Sequence, residues 1–315
     1  MDGLDIKILR ALIYEGAVAP SASQVSESLA SIARRLEVDD ATVSYRYRRL
    51  LKSGTMSGWR LLVNPSYFGC GLVDITVDVE PESGKEDMLR KLRVVREVIG
   101  IIDFYGRAAR LTAVYRGEES RSRTVELISR ITNAQNVTQV RWVLPRSRTE
   151  QFSEVDAAII SLLSRDARRS FVEIARELGL STRTVRTRAL KLRSENAVFS
   201  LPSLNLGGTR GLIPVVLSYS YANGSVKELV DRAMMSHFDA NYLWVGFSDP
   251  DSGWMLLGAS AMLDAQEALK WAKLHEGVSN ARTDIVMRTK MFPEKLMELL
   301  EVRKEKGTSQ AKAYF

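Results

Sequence analysis

One segment of this chain occurs twice, and that repetition limits what it can fold into more than any other feature. Ile32-Ala-Arg-Arg-Leu-Glu-Val-Asp-Asp-Ala-Thr-Val-Ser-Tyr-Arg46 aligns without gaps on Ile174-Ala-Arg-Glu-Leu-Gly-Leu-Ser-Thr-Arg-Thr-Val-Arg-Thr-Arg188, an offset of 174 − 32 = 142 residues. The offset is close to half of the 315-residue chain, so two halves of similar plan are expected, joined near residues 145–152.

Each copy has the layout of two helices joined by a tight turn. In the second, Phe171, Ile174, Ala175 and Leu178 recur at helical spacing and form one apolar stripe. Gly179 ends that helix, because glycine reaches positive φ without steric penalty. Ser181 can cap the next helix by accepting a backbone N–H of its first turn. There Val185, Ala189 and Leu192 face back onto the first helix, leaving Thr182, Arg183, Arg186, Thr187 and Lys191 outward. The first copy repeats this with Ile32, Ala33 and Leu36, then the cap Asp39, then Val43, Tyr47 and Leu50 inward. Glu37 stands where Gly179 does, so a left-handed turn costs more there. Residues 14–29 outrun their counterpart and are rich in Ser and Ala, which reads as an extended loop or a lengthened helix start.

The placement of charge gives this layout a partner. The second outward helix carries Arg183, Arg186, Arg188, Lys191 and Arg193 before its first acid, Glu195. The first carries Arg46, Arg48, Arg49 and Lys52, with acids only at Asp39 and Asp40. Such helices fit the major groove of duplex DNA, where arginine bonds guanine bidentately and threonine meets a thymine methyl. The net charge of +7 agrees with a polyanionic partner. The candidate DNA-binding residues are Thr42, Ser44, Tyr45, Arg46 and Arg49 in the first copy. In the second they are Thr182, Arg183, Thr184, Arg186, Thr187, Arg188 and Lys191. A solvated basic face is the plainer alternative, and two copies with matching caps and cores count against it.

The second copy, from Val155-Asp-Ala-Ala-Ile through Asp166-Ala-Arg-Arg-Ser170 to Arg188, resembles the DNA-binding domain of the Lrp/AsnC family of feast/famine regulators. Asp156 takes the place of the family's opening aspartate, and residues 166–170 take that of its "DARxS" element. The first half resembles it less closely, through Leu4-Asp-Ile-Lys-Ile-Leu-Arg-Ala-Leu12 and Val63-Asn-Pro-Ser-Tyr-Phe-Gly69. The resemblance implies a ferredoxin-like βαββαβ domain after each helix-turn-helix. Hydropathy patterning independently supports strands at 72–79, 99–105, 110–115 and 138–144 with helices at 85–98 and 120–132. The second half repeats the order, with strands at 213–221, 241–247, 253–259 and 281–287 and helices at 226–237 and 263–275.

The expected architecture is therefore α+β. Two winged/helix-turn-helix DNA-binding domains, 1–64 and 149–206, alternate with two ferredoxin-like βαββαβ domains, 65–148 and 207–292; a closing helix and polar tail, 293–315, follow. The resemblance implies double-stranded DNA as partner, sheet-mediated pairing, and in many members an amino-acid-like effector. One chain holding both halves resembles a fused dimer, an intrachain pseudo-dimer, with pairing of two such chains left open. Ser44 stands where Arg186 does and Tyr45 where Thr187 does, so an asymmetric DNA site is expected. The family's Gly-x-x-Asp hairpin is matched by Gly246-Phe-Ser-Asp249, making Gly246, Asp249 and Asp251 the effector candidates; an ordinary chain-reversing turn explains the same residues.

Other functions find less support. The single cysteine, Cys70, forms no internal disulfide, and two histidines with one cysteine make no zinc set, so neither metal nor cofactor is expected. The acidic start and short apolar runs point to a cytoplasmic, nucleoid-associated protein with no membrane partner. His237 and His275 sit near helix ends and read as capping residues, and Trp142, Trp244, Trp254 and Trp271 as core or interface aromatics. An enzyme alternative comes from sirohaem decarboxylases, which resemble the same architecture and rely on histidines in the α+β part; residues 70–145 hold none. A third reading is a ligand-binding or assembly protein that has lost DNA binding. A regulator without enzymatic activity is the reading preferred.

Overall fold

A computed structural model describes residues 1–17, 29–134, 136–142, 144–148, 151–165, 167, 169–209, 211–246 and 249–298. The first half begins with helices α1 (Gly3–Ala17), α2 (Leu29–Leu36) and α3 (Asp40–Lys52), then strand β1 (Met56–Val63). There follow β2 (Gly71–Asp78), α4 (Lys85–Val94), β3 (Val98–Phe104), β4 (Ala108–Tyr115), α5 (Gly117–Thr132) and β5 (Val137–Trp142). The second half repeats the order with α6 (Glu154–Arg165), α7 (Phe171–Leu178), α8 (Thr182–Ser194) and β6 (Val198–Leu204). It continues through β7 (Ile213–Tyr221), α9 (Lys227–His237), β8 (Tyr242–Gly246), β9 (Ser252–Ala259), α10 (Met262–Leu274) and β10 (Val278–Met291). The observed βαββαβ elements agree with the patterning of the sequence. The notable difference is β10, which at 14 residues extends well beyond the expected strand.

The two helical units close their turns in the same way. Glu37 at φ 56° and Gly179 at φ 65° are both left-handed, and Val38 N–H and Leu180 N–H donate to Ala33 O and Ala175 O. Glutamate therefore tolerates the costlier conformation, held by Val43 and Leu50 packing onto Ile32 and Ala33. Of residues 14–29, expected as an extended loop or a lengthened helix start, 14–17 continue α1 and 18–28 lie outside the described residues, as do Asp166 and Arg168 of the Asp-Ala-Arg-Arg-Ser element and the tail past residue 298.

Each α+β unit has the ferredoxin-like strand order: β5-β2-β4-β3 in the first, β10-β7-β9-β8 in the second. One face of each is covered by its own helices, over Val73, Ile75 and Leu111 in one case and Leu217, Met255 and Leu257 in the other. Because side chains alternate along a strand, the intervening residues point the other way, and these inner faces meet. Arg110 donates to Ser218 Oγ at 2.7 Å, Arg282 pairs with Asp78 at 3.3 Å, and the Trp142 ring meets Trp244 at 5.7 Å. The expectation of core or interface tryptophans fits Trp142, Trp244 and Trp254, which join one cluster there.

Two strand pairings join the halves. β1 and β6 form an antiparallel ribbon in which Trp59 opposes Pro202 and Val63 opposes Val198. β10 pairs with β7 along Val278–Ile285 and with β3 from Val286 onward, producing one eight-stranded sheet. Helical residues 293–298 then return to the first unit: Lys295 Nζ donates to Val95 O and Val98 O at 2.6 and 2.7 Å, and Leu296 packs with Leu72, Ile99 and Val114. In the opposite sense, α1 lies on the second unit, with Arg10 4.2 Å from the Tyr242 ring. Among the described residues no helix is long and apolar enough to cross a membrane.

The joint between ribbon and second sheet has little tolerance for added bulk. An ideal Cβ on Gly207 would lie 1.6 Å from Met287 O, a backbone atom that can yield only by moving β10. Gly207→Ala should cost about 1–3 kcal/mol, as overpacking typically does, read as a lowered melting temperature with no change in low-temperature circular dichroism.

Candidate nucleic-acid interface

The two outward helices, α3 and α8, are placed by matched contacts. Asp39 Oδ1 accepts from Ala41 N–H at 2.8 Å, and Ser181 Oγ accepts from Thr184 N–H at 3.1 Å, capping each N-terminus. The Thr42 and Thr184 hydroxyls turn back to these caps, Thr42 to Asp39 Oδ2 and Thr184 to Ser181 Oγ. Both hydroxyls, candidates for DNA contact on the sequence, are engaged at the helix start.

A second matched contact involves arginines. Arg46 donates to Asp2, just before α1, at 2.6 Å and to Asp5 of α1 at 3.1 Å, and Asp5 is fully buried. The corresponding Arg188 donates to Asp156 of α6 at 3.0 Å and to Ser153 Oγ at 2.9 Å. Arg49 adds a 2.5 Å contact to Asp5. Arg46 and Arg188 therefore brace α3 and α8 against the first helix of their units, and Arg49 does so while remaining largely exposed. A count of basic residues along a helix cannot reveal this, because the partners lie more than thirty positions earlier; the signal available was the aspartate beginning each unit.

After this sorting the two helices differ. On α8, Thr182, Arg183, Arg186, Thr187 and Lys191 are exposed, and among the described residues Arg183 and Arg186 pair with no acid. Lys191 approaches Glu195 at 3.8 Å. On α3, the positions of Arg183 and Arg186 are taken by Ala41 and Ser44; Tyr45 is 62% exposed and Ser44 half-buried. Arg48 bonds its own helix at Ser44 O. The second helix offers unengaged guanidinium groups near its N-terminal end, whereas the first offers an aromatic ring and partly neutralised arginines.

The hairpin residues are otherwise engaged. Asp249 is buried; Oδ2 accepts from Arg141 N–H at 3.0 Å and Oδ1 from Asp251 N–H at 2.9 Å, tying the turn to β5. Asp251 is exposed, and its carbonyl accepts from Tyr221 N–H. Gly246 lies against Trp254, where a Cβ would come within 2.2 Å of Nε1. Phe247 and Ser248 are outside the described residues. The histidines do more than end helices: His237 stacks on Trp271 at 3.9 Å, and His275 approaches the same ring at 5.1 Å. Burial holds His237 below its ordinary pKa. Among the described residues no cluster of His, Cys, Asp and Glu could hold a metal ion.

Residues 152–193 match the AsnC-type helix-turn-helix domain, so the second helical unit is a domain of that class. Among curated proteins, an uncharacterised HTH-type transcriptional regulator of Pyrococcus horikoshii is 34% identical over 105 residues, 32% of this chain and 60% of the relative. The HTH-type transcriptional regulator Ptr1 of Methanocaldococcus jannaschii is 29% identical over 106 residues, 34% of this chain and 66% of the relative. The chain thus spans somewhat under two thirds of these relatives' length. Among solved structures, the sirohaem decarboxylase NirDL aligns over 95% of this chain and 99% of its own, with a TM-score of 0.53 and 13% identity; it shares the fold.

The arginine braces make the heads sensitive to acid. Burial alone would raise the Asp156 carboxyl, but hydrogen bonds from Ser153 and Arg188 outweigh it and hold the group below its usual range. The Arg46 hydrogen bond does the same for Asp2. A carboxyl lowered by folding contributes stability above its unfolded pKa and loses it as pH falls through the folded value. Melting temperatures measured from neutral pH downward should fall once the pH passes below about 4. Asp156→Asn should flatten part of that fall and cost about 1–3 kcal/mol at neutral pH.

Proposed function

We propose that this chain is a sequence-specific DNA-binding transcription regulator, in which α8 reads bases and α3 chiefly anchors. The observation that carries this reading is the pair of exposed arginines, Arg183 and Arg186, left without acidic partners on a helix whose other arginine contacts serve the fold. A guanidinium committed to an internal carboxylate cannot also bond guanine, and these two are uncommitted. The match of residues 152–193 to an AsnC-type domain and the regulator names of the relatives support it. The repeated element order supports a fused pseudo-dimer arising by tandem duplication. Since Ala41 and Ser44 replace the two reading arginines, the favoured site is asymmetric, with one half-site specified more strongly.

In-vitro site selection followed by mobility shifts tests this. Arg183→Ala and Arg186→Ala should each weaken specific binding by about 1–3 kcal/mol and relax sequence preference at one position. Changing Ala41 or Ser44 should matter far less. Affinity should fall steeply with added salt, since the remaining basic groups neutralise phosphates. Equal affinity in the double arginine variant, or selected sites forming perfect inverted repeats, would sink the reading.

The whole-chain likeness to a sirohaem decarboxylase favours a second reading at the level of fold. Both histidines sit around Trp271 at the outer helices α9 and α10, not on the meeting inner faces. Supplying sirohaem and following its absorption separates the two readings.

A further inference from the structure

Seven positions of the repeated segment hold the same residue in both copies. They are Ile32 with Ile174, Ala33 with Ala175, Arg34 with Arg176, Leu36 with Leu178, Thr42 with Thr184, Val43 with Val185 and Arg46 with Arg188. The fold itself accounts for all but one of these pairs. The isoleucines, alanines and valines are buried, and Leu36 and Leu178 pack against the same core. The threonine hydroxyls meet their helix caps, and Arg46 and Arg188 hold Asp5 and Asp156. Arg34 on α2 and Arg176 on α7 are left over. Both are exposed, and among the described residues neither side chain makes a hydrogen bond or an ion pair.

Exposed positions elsewhere in the segment have drifted apart. Arg35 stands against Glu177, Asp40 against Thr182, Ala41 against Arg183 and Tyr45 against Thr187, each exposed in both copies. Of the positions exposed in both, Arg34 and Arg176 alone are identical. A cation near a helix C-terminus suits the dipole, but the second copy carries Glu177 one residue further along, so that turn makes no general demand for positive charge. Both arginines also occupy the same place relative to the groove-facing helix. Val38 N–H and Leu180 N–H close the turn on Ala33 O and Ala175 O, the carbonyls just before Arg34 and Arg176. In a helix-turn-helix this first helix crosses the sugar–phosphate backbone while the second enters the groove. A free guanidinium there matches a phosphate bidentately.

We propose that Arg34 and Arg176 each bind one phosphate of the duplex backbone, at equivalent places beside the grooves that α3 and α8 face. The inference rests on the DNA-binding reading and deepens it. Base contacts are concentrated on one head, where Arg183 and Arg186 stand free, but backbone contacts are made by both. The head without reading arginines still docks on the duplex, through a contact that the other head shares.

The intact chain is titrated against its selected duplex and against a scrambled duplex of equal length and composition, over a range of salt, with melting temperatures recorded alongside. Arg34→Ala and Arg176→Ala should each flatten the slope of log affinity against log salt by about 0.9 on both duplexes, a roughly eightfold loss at about 0.1 M salt. The two losses should match in size. Arg34→Lys and Arg176→Lys should keep most of the parent slope, since a phosphate accepts either cation. Arg183→Ala supplies the contrast, weakening chiefly the selected duplex. An unchanged slope in either alanine variant, while the parent chain binds, overturns this proposal alone. A loss confined to the selected duplex would make these arginines base readers and overturn it too. So would a lowered melting temperature with an unchanged slope, the mark of a merely helix-stabilising role. A parent chain that holds neither duplex at low salt would instead bring down the DNA-binding reading, and this inference with it.

Discussion

The sharing of strands between halves governs everything else in this molecule. Among the described residues β1 has only β6 as its partner, and β10 divides its length between β7 of its own unit and β3 of the other. Neither half can leave without exposing a row of backbone N–H and C=O groups, which cost free energy wherever water does not replace the bond. The exchange is reinforced by α1 lying on the second sheet and by Lys295 and Leu296 closing the first. The heads are consequently fixed through a ribbon and a continuous sheet rather than tethered by a linker, so differences between them are differences of surface chemistry rather than of reach.

That surface chemistry shows how a repeated scaffold can carry two different outward faces. Cap, turn and brace recur: Asp39 and Ser181, Glu37 and Gly179, Arg46 with Asp5 and Arg188 with Asp156. These positions answer to folding, so both copies keep them. The intervening outward positions answer to nothing inside the protein, and there the copies part: Ala41 against Arg183, Ser44 against Arg186, Tyr45 against Thr187. A pair of separate identical chains would have to present the same face twice.

Much of the fold was legible because its periodicities are local. Helical stripes such as Phe171–Ile174–Leu178 and strands such as Ile213–Tyr221 announce themselves within a dozen residues. What escaped is what depends on distant partners. The ribbon was missed because β1 carries Gly58 at φ 137° and β6 carries Pro202, both weak strand residues that pairing overrides. The union of β3 with β10 leaves no mark beyond an unusually long strand. In the candidate interface, exposure of Arg183 and Arg186 followed from helical spacing, whereas the diversion of Arg46, Arg49 and Arg188 required knowing where Asp5 and Asp156 would lie. The same holds for Asp249, whose position suggested a ligand and whose partner turned out to be the backbone of β5.

The strand registers show what a single chain gains by holding both halves. Thr76 opposes Arg110 in the first sheet, and Ser218 opposes Trp254 in the second, so Arg110 and Trp254 occupy corresponding positions. They also face each other, 5.3 Å apart. Two corresponding positions in contact across paired sheets mark the place where a symmetric dimer would set a residue against itself. Two buried guanidinium groups there would repel without a counter-charge, at a cost no nearby hydrogen bond offsets. One guanidinium against one indole is instead attractive, by the same cation–π geometry that stabilises such pairs elsewhere. The same divergence sets Asp74 against Val216 and Thr112 against Leu256, making one inner face polar and the other mostly apolar. A chain whose halves differ in sequence can set one guanidinium against an indole at such a centre, as Arg110 and Trp254 do here.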